Sequence, residues 1–111
     1  MLTPADMERF RARLEEQRTA IQQQIAELQR SVAAPDESED AENDDGEMGN
    51  LFLAREGALD QMERARTQMA EVERALERIT EGSYGLSEVS GNPIPIERLE
   101  VHPAATTLVD E

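Results

Sequence analysis

The sequence contains no cysteine and no tryptophan, and its aromatic residues are two phenylalanines and one tyrosine. Without cysteine the chain forms neither disulfides nor thiolate metal sites. A compact globule of 111 residues usually buries more aromatic side chains than these. Leu, Met, Ala, Gln, Glu and Arg dominate instead, and all of them are good helix formers. The composition therefore favours an elongated, mainly α-helical protein.

Long apolar runs are missing as well. No stretch approaches the roughly 20 apolar residues that a membrane-spanning helix requires. The first stretch, MLTPADMERFRARLEE, becomes charged too early to serve as a secretion signal. We therefore expect a cytoplasmic protein with no membrane association.

Positive charge is scarce, since all 11 basic residues are arginine and the net charge is −14. The negative charge is concentrated in residues 35–50, which contain eight acids and no base. Proteins that bind phosphate backbones present clustered Lys and Arg side chains instead. We therefore expect no direct binding to DNA.

Two long helices are predicted from apolar residues that repeat every seven positions. The first opens with Thr3 as N-cap, Pro4 at the first helical position and Asp6 as the capping-box acid, and it ends near residues 33–35. The second ends at Gly82. The apolar seam of the first helix contains Met7, Phe10, Leu14, Ile21, Ile25, Leu28 and Val32. The two seam rows of the second helix contain Met48, Leu51, Arg55, Ala58, Met62, Ala65, Met69, Val72, Leu76 and Ile79.

Strict seven-residue spacing is typical of coiled-coil packing rather than of a globular core helix. The two helices are of similar length and an acidic loop lies between them. We therefore interpret residues 1–82 as an antiparallel helical hairpin in a monomer. In the alternative, each helix pairs with another chain in an oligomer.

The loop, about residues 35–50, reads PDESEDAENDDGEMGN and should be exposed at the hairpin tip because its acids repel one another. A calcium-binding EF-hand loop does not fit, since its first and twelfth ligand positions fall on Ala41 and Phe52. Two interpretations stay open at this point. The loop is a solvating linker, or its clustered carboxylates bind Mg²⁺ weakly.

Residues 83–111 form a separate small unit, which we call the knuckle. Tyr84-Gly85 and residues 90–93 are turn signals, residues 94–96 suit an edge strand, and a short helix follows around Arg98. We expect apolar packing to hold the knuckle together. The side chains predicted for its core are Leu86, Val89, Leu99, Leu108 and Val109, packed against Tyr84 and the end of the second helix.

Residues 82–111, GSYGLSEVSGNPIPIERLEVHPAATTLVDE, carry a characteristic order of glycine, aromatic, aliphatic and proline residues. The residues that carry it are Gly82, Tyr84, Gly85, Gly91, Ile94, Arg98, Leu99, Pro103 and Ala105. In this order and spacing, without gaps, the segment resembles the C-terminal signature of the DksA/TraR family of transcription regulators. The resemblance implies the same helical hairpin followed by a zinc-ribbon-like knuckle.

The chain departs from that signature at the zinc ligands. The four cysteines of the family fall on Ser87, Ser90, Leu108 and Glu111. Serine is a poor zinc ligand, leucine is none, and a single glutamate does not hold the metal alone. We therefore expect a degenerate knuckle without zinc, and no cofactor.

The resemblance also implies a function. Members of the family enter the secondary channel of bacterial RNA polymerase, and an acidic coiled-coil tip reaches toward its active site. Counting back from the knuckle places the two tip acids of the family on Asp44 and Glu47, with Asp45 beside them. Positions that bind guanosine tetraphosphate in certain members fall on Glu71 and His102, and a glutamate there would repel a polyphosphate.

The sequence thus predicts a transcription regulator that binds RNA polymerase and is not an enzyme, since no nucleophile–base pair or catalytic acid pair can be identified. Two alternatives remain. The chain is a structural or interaction coiled coil with no role at polymerase, or it is an acidic decoy that mimics nucleic acid toward a basic partner.

Overall fold

The structure is a computed structural model that describes residues 2–33 and 45–111. Its helices are α1 (Pro4–Ala33), α2 (Asp45–Glu81) and α3 (Ile96–Val101). The first two are the long helices that the sequence predicts. Because α2 begins at Asp45, residues 45–50 of the predicted loop are helical. The preceding part of that loop, residues 35–44, lies outside the described residues.

Helix α1 begins with the predicted capping box. The Thr3 backbone N–H donates to Asp6 Oδ2 at 3.1 Å, and the Asp6 N–H donates to Thr3 Oγ1 at 3.1 Å. These bonds satisfy two amides that a helix start otherwise leaves without partners. The bond from the Thr3 N–H also lowers the pKa of the Asp6 carboxyl, because it favours the charged form of that group.

Helices α1 and α2 run side by side in opposite directions. Phe10, near the start of α1, packs on Tyr84, just beyond the end of α2, with the ring centroids 6.0 Å apart. Further along α1, Ile21 shares the wall of one hollow with Val72 of α2. The principal-axis extents of 62 × 26 × 20 Å describe an elongated molecule. The predicted antiparallel helical hairpin is confirmed.

The core of the hairpin follows the predicted seams, with one addition. Among the hairpin side chains that the structure describes, the buried apolar ones are Phe10, Leu14, Ile21, Met62, Ala65, Val72 and Ala75. Ala75 belongs to neither predicted row, but it lies between Arg74 and Arg78, which contact the knuckle. The end of α2 is therefore covered on two sides, by α1 and by the knuckle. Arg55, a seam position by spacing, is exposed.

Helix α2 ends at a Schellman motif centred on Gly82, as the sequence predicts. The Ser83 N–H donates to the Arg78 carbonyl at 2.9 Å and the Gly82 N–H to the Ile79 carbonyl at 3.2 Å. Gly82 has a φ of +84°, which glycine adopts without the penalty that a Cβ would bring. This turn directs the chain back across the end of the hairpin and into the knuckle.

The predicted edge strand at residues 94–96 is wrong. Within the described residues the knuckle contains one isolated antiparallel bridge, between Leu86 and Pro93, beside which the Ile94 N–H donates to the Gly85 carbonyl at 2.7 Å. Pro93 and Pro95 have no amide hydrogen, so a longer ladder cannot form. The chain enters α3 at Ile96 instead.

The predicted knuckle core is only partly right. Leu99 is fully buried and Leu108 is half-buried, but Leu86, Val89 and Val109 are 40%, 71% and 76% exposed. Val89 and Val109 lie on turns at the surface, and Leu86 lies in the isolated bridge. The buried positions are filled by Tyr84, Ile94, Leu99, Pro103, Ala104 and Ala105. No helix in the part of the chain that the structure describes is long and apolar enough to cross a membrane.

Candidate functional site

Two of the three predicted tip acids, Asp45 and Glu47, have their backbones at the end of α2 opposite the knuckle. Asp44 lies outside the described residues. The backbones of Asp45 and Glu47 belong to the first turn of α2. A helix of 37 residues is about 55 Å long, so these two positions are far from the knuckle.

The former zinc-ligand positions lie close together in the knuckle. The Ser87 hydroxyl donates to Oε1 of Glu111, and the Leu108 N–H donates to the same oxygen at 2.9 Å. The Ser90 N–H donates to Ser87 Oγ at 3.2 Å. Hydrogen bonds from Ser87, Ser90 and the Leu108 amide lower the pKa of the Glu111 carboxyl.

This group of residues does not fit a zinc ion. Structural zinc is held by four thiolate or imidazole ligands, whereas these four positions supply two hydroxyls, one aliphatic side chain and one carboxylate. The carboxylate is already an acceptor for two donors of the protein. Among the side chains that the structure describes, no three His, Cys, Asp or Glu residues are grouped to hold a metal.

Helix α2 holds the knuckle through two arginines. Arg74 donates to Oε1 of Glu88 from Nε at 3.0 Å and from a terminal nitrogen at 2.8 Å. These bonds lower the pKa of the Glu88 carboxyl. Arg78 is 7% exposed and donates to the carbonyls of Ser83 and Leu86. Sequence reasoning missed Arg78; the available signal was a basic residue in the last turn of a helix, where carbonyls lack partners.

Helix α1 holds the knuckle from the other side. Arg9 approaches Oε2 of Glu100 at 2.9 Å, and Arg13 donates to the Glu100 carbonyl at 2.9 Å. The guanidinium carbon of Arg9 lies 4.6 Å from the centroid of the Phe10 ring. These side chains are near the surface, so each ion pair contributes little energy. Together they fix the side of α1 on which α3 lies.

Tyr84 is the buried centre of this junction. Its ring packs against Phe10, and its hydroxyl donates to the Pro103 carbonyl at 2.7 Å. Burial raises the pKa of the Tyr84 phenol to about 12, because the charged phenolate would lose its hydration. Glu71 and His102 both line a hollow between α2 and the knuckle.

We predict that Tyr84 titrates near pH 12 in the folded protein. The folded-state pKa lies above the unfolded value of about 10, so the contribution of Tyr84 to stability is complete below pH 10 and disappears as the pH rises through 12. Tyr84 is the sole tyrosine, so tyrosinate absorbance reports on it alone. The urea-unfolded protein serves as control, with a midpoint near 10. The same midpoint in both states would contradict the burial of this hydroxyl.

Comparison with known proteins points to one group of relatives. No protein-family model matches the sequence. The uncharacterized protein YteA of Bacillus subtilis is 42% identical over 71 residues, which cover 62% of this chain and 29% of that protein. The RNA polymerase-binding transcription factor DksA of Caulobacter vibrioides is 42% identical over 48 residues, which cover 43% of this chain and 34% of that protein. The matches thus span about a third or less of these two relatives.

Solved structures give a more complete match. The transcription factor DksA2 of Pseudomonas aeruginosa superimposes with a TM-score of 0.80 at 26% identity, over 96% of this chain and 80% of that one. The RNA polymerase-binding protein and transcriptional regulator Dks of Chlamydia trachomatis gives a TM-score of 0.57 at 25% identity, over 99% of this chain and 86% of that one. The hairpin, the knuckle and the sequence matches agree, and together they make this chain similar to DksA-like proteins in fold and in sequence.

Proposed function

We propose that this chain binds bacterial RNA polymerase and regulates transcription. The observation that carries the proposal is the DksA2 superposition, because it includes hairpin and knuckle together rather than a coiled coil alone. Similar proteins are named for binding RNA polymerase in Caulobacter vibrioides and Chlamydia trachomatis. A coiled coil of unrelated function would share the helices without the knuckle.

The finer proposal is that the hairpin enters the secondary channel with its acidic end first. Helix α2 is about 55 Å long, which is enough to place one end deep in a channel while the knuckle stays outside. The net charge of −14 disfavours binding to the nucleic acid itself. The dense acidic charge of residues 35–50 instead suits a site that holds Mg²⁺ or basic side chains.

Photo-crosslinking to purified core RNA polymerase tests both levels of the proposal. A crosslinking amino acid at Asn43 should label polymerase segments near the active site. The matched control carries the same group at Val101, which is 85% exposed on the knuckle, and should label the outer rim of the channel. Absence of binding would favour a structural coiled coil. If the protein binds and the group at Asn43 labels the outer surface of polymerase, the proposed entry into the channel is wrong, whereas the proposed binding to polymerase still holds.

A loop peptide separates the regulator from an acidic decoy. A decoy acts through charge alone, so a peptide of residues 35–50 should compete for polymerase as well as the whole chain does. A regulator that depends on reach and on the knuckle predicts that the peptide competes poorly at the same concentration. Efficient competition by the peptide would contradict the proposed function.

A further inference from the structure

The last residues of the knuckle are fixed by little apolar burial. Ala105 is the last buried residue, at 4% exposure, and Val109 is 76% exposed. Thr106, Thr107 and Leu108 are half-buried. Since the apolar contribution scales with the area removed from water, residues 106–111 need other contacts to stay against the rest of the knuckle.

Hydrogen bonds supply those contacts at three places. The Glu88 N–H donates to the Thr106 carbonyl at 2.8 Å. Arg98 Nε donates to the Thr107 carbonyl at 3.0 Å. At the far end, the Ser87 hydroxyl donates to the Glu111 carboxylate. The first two bonds involve a backbone carbonyl of the segment, whereas the third depends on the identity of the side chain at position 111.

The Glu111 carboxylate is the centre of a small network. Its Oε1 atom accepts from the Ser87 hydroxyl and from the Leu108 N–H at 2.9 Å. Ser87 Oγ in turn accepts from the N–H groups of Val89 at 3.0 Å and Ser90 at 3.2 Å, which fixes the direction of the hydroxyl. Ser87 is 3% exposed, so its hydroxyl needs a partner inside the protein.

We propose that the Glu111 carboxylate cross-links residues 87–90 to residues 108–111 and so closes the knuckle in the place where a zinc ion would close a four-cysteine knuckle. We call this network the carboxylate clasp. A bound metal joins two turns by attracting four electron donors. In the clasp the charges are reversed, because the centre is a negatively charged carboxylate and the groups around it are hydrogen-bond donors.

The clasp uses all four of the former ligand positions. Ser87 supplies the hydroxyl, Ser90 an amide that holds it, Leu108 a second amide, and Glu111 the acceptor. Hydrogen bonds to a charged acceptor are stronger than those between neutral groups, which makes a carboxylate better suited to the central place than an amide or hydroxyl. The clasp requires neither a metal nor a thiol.

Amide hydrogen exchange in the full chain tests the clasp. Glu111→Ala should speed exchange at the amides of Leu108, Val89 and Ser90 by roughly threefold to tenfold, because each loses its bond or the group that orders it. Glu111→Gln should give a smaller increase, since its amide oxygen accepts the same bonds without the charge. Asp110→Ala, which changes an exposed neighbouring acid outside the network, is the matched control and should leave these rates unchanged.

Two results in this experiment would overturn the proposal. Unchanged exchange rates in Glu111→Ala would show that the carboxylate does not join residues 87–90 to residues 108–111. An equal increase in Asp110→Ala would show an effect of general charge. Ser87→Ala provides an independent variant that keeps Glu111; it should speed exchange at Val89 and Ser90 while α1 and α2 keep their protection.

Metal binding gives a second test with a positive outcome. The parent chain should contain no stoichiometric zinc, and EDTA should leave its melting temperature unchanged. The combined variant Ser87→Cys, Ser90→Cys, Leu108→Cys and Glu111→Cys should bind one Co²⁺ per chain, with the absorption typical of thiolate ligation, because the fold of the knuckle brings these positions close together. One zinc per parent chain, or failure of the cysteine variant to bind metal, would overturn the proposed replacement.

Discussion

Asp44→Asn combined with Glu47→Gln should abolish the effect of the protein on transcription initiation while changing its affinity for RNA polymerase little. The two substitutions keep the shape of both side chains and remove their charge. Under the proposed function, these acids act after docking, by perturbing the Mg²⁺-dependent chemistry or a mobile loop of the polymerase. Docking itself would depend on the knuckle and the shaft of the hairpin. The measurement is abortive initiation in vitro, with affinity determined in parallel.

The matched control is Glu56→Gln with Glu63→Gln, which removes the same charge from exposed positions further along α2. This control should still regulate. If the Asp44/Glu47 variant regulates as well as the parent does, the acidic end has no regulatory role and serves as a solvating linker. If that variant no longer binds polymerase, the two acids contribute to docking rather than to a later step. Loss of regulation in both variants would point to overall charge and hence to the decoy.

Phe10→Ala should destabilise the protein by about 3–5 kcal/mol, the range for removing a large aromatic side chain from a core. Phe10 is fully buried and packs on Tyr84, and the Arg9 guanidinium lies 4.6 Å from its ring centroid. The substitution therefore opens a cavity between α1 and the knuckle. We expect the loss in urea unfolding, and we expect knuckle resonances to broaden before the helical signal falls.

Val101→Ala is the control for this loss, because Val101 is apolar but 85% exposed. A surface substitution of this kind should change stability by no more than about 0.5 kcal/mol. Equal effects of the two substitutions would show that Phe10 does not occupy the buried junction. A loss of stability in Phe10→Ala with unchanged knuckle resonances would show that hairpin and knuckle are not packed together through this ring.

Local chemistry made the helices predictable. The Thr3–Asp6 capping box and Gly82 act through contacts within a few residues, the heptad spacing marks the face of each helix that packs on the other, and each is where the sequence predicts. The start of α2 was less predictable. Its first turn contains glycines and acids that also suit a loop, so residues 45–50 were assigned to the loop although they are helical.

The knuckle core was harder to predict because short turns impose no periodicity. Val89 and Ala104 differ in size, yet the smaller residue is buried and the larger one is exposed. Which residue faces inward depends on three turns and on α3. The importance of Arg78 was equally hidden, since its partners are backbone carbonyls that only the Gly82 turn brings near.

The resemblance identified the positions that hold zinc in the family, but it did not predict the hydrogen bonds that these residues form in this chain. A sequence shows that Ser87 and Glu111 replace cysteines, but it does not show that one donates to the other. That bond depends on two segments that are 24 residues apart meeting at the surface of the knuckle. The tip acids Asp44, Asp45 and Glu47 stay a prediction for the same kind of reason, because their role depends on a partner.

The arginine contacts on the two long helices have a mechanical consequence. Arg74 braces the knuckle from α2, and Arg9 braces it from α1, so a tilt of the hairpin on its base would have to stretch one pair or compress the other. A tilt of about 5° at the base displaces the end of a 55 Å rod by about 5 Å. The arginine contacts at the base thus add to the Phe10–Tyr84 packing in directing the hairpin, and we expect a charge change at Glu88 or Glu100 to displace the distant end rather than to unfold the protein.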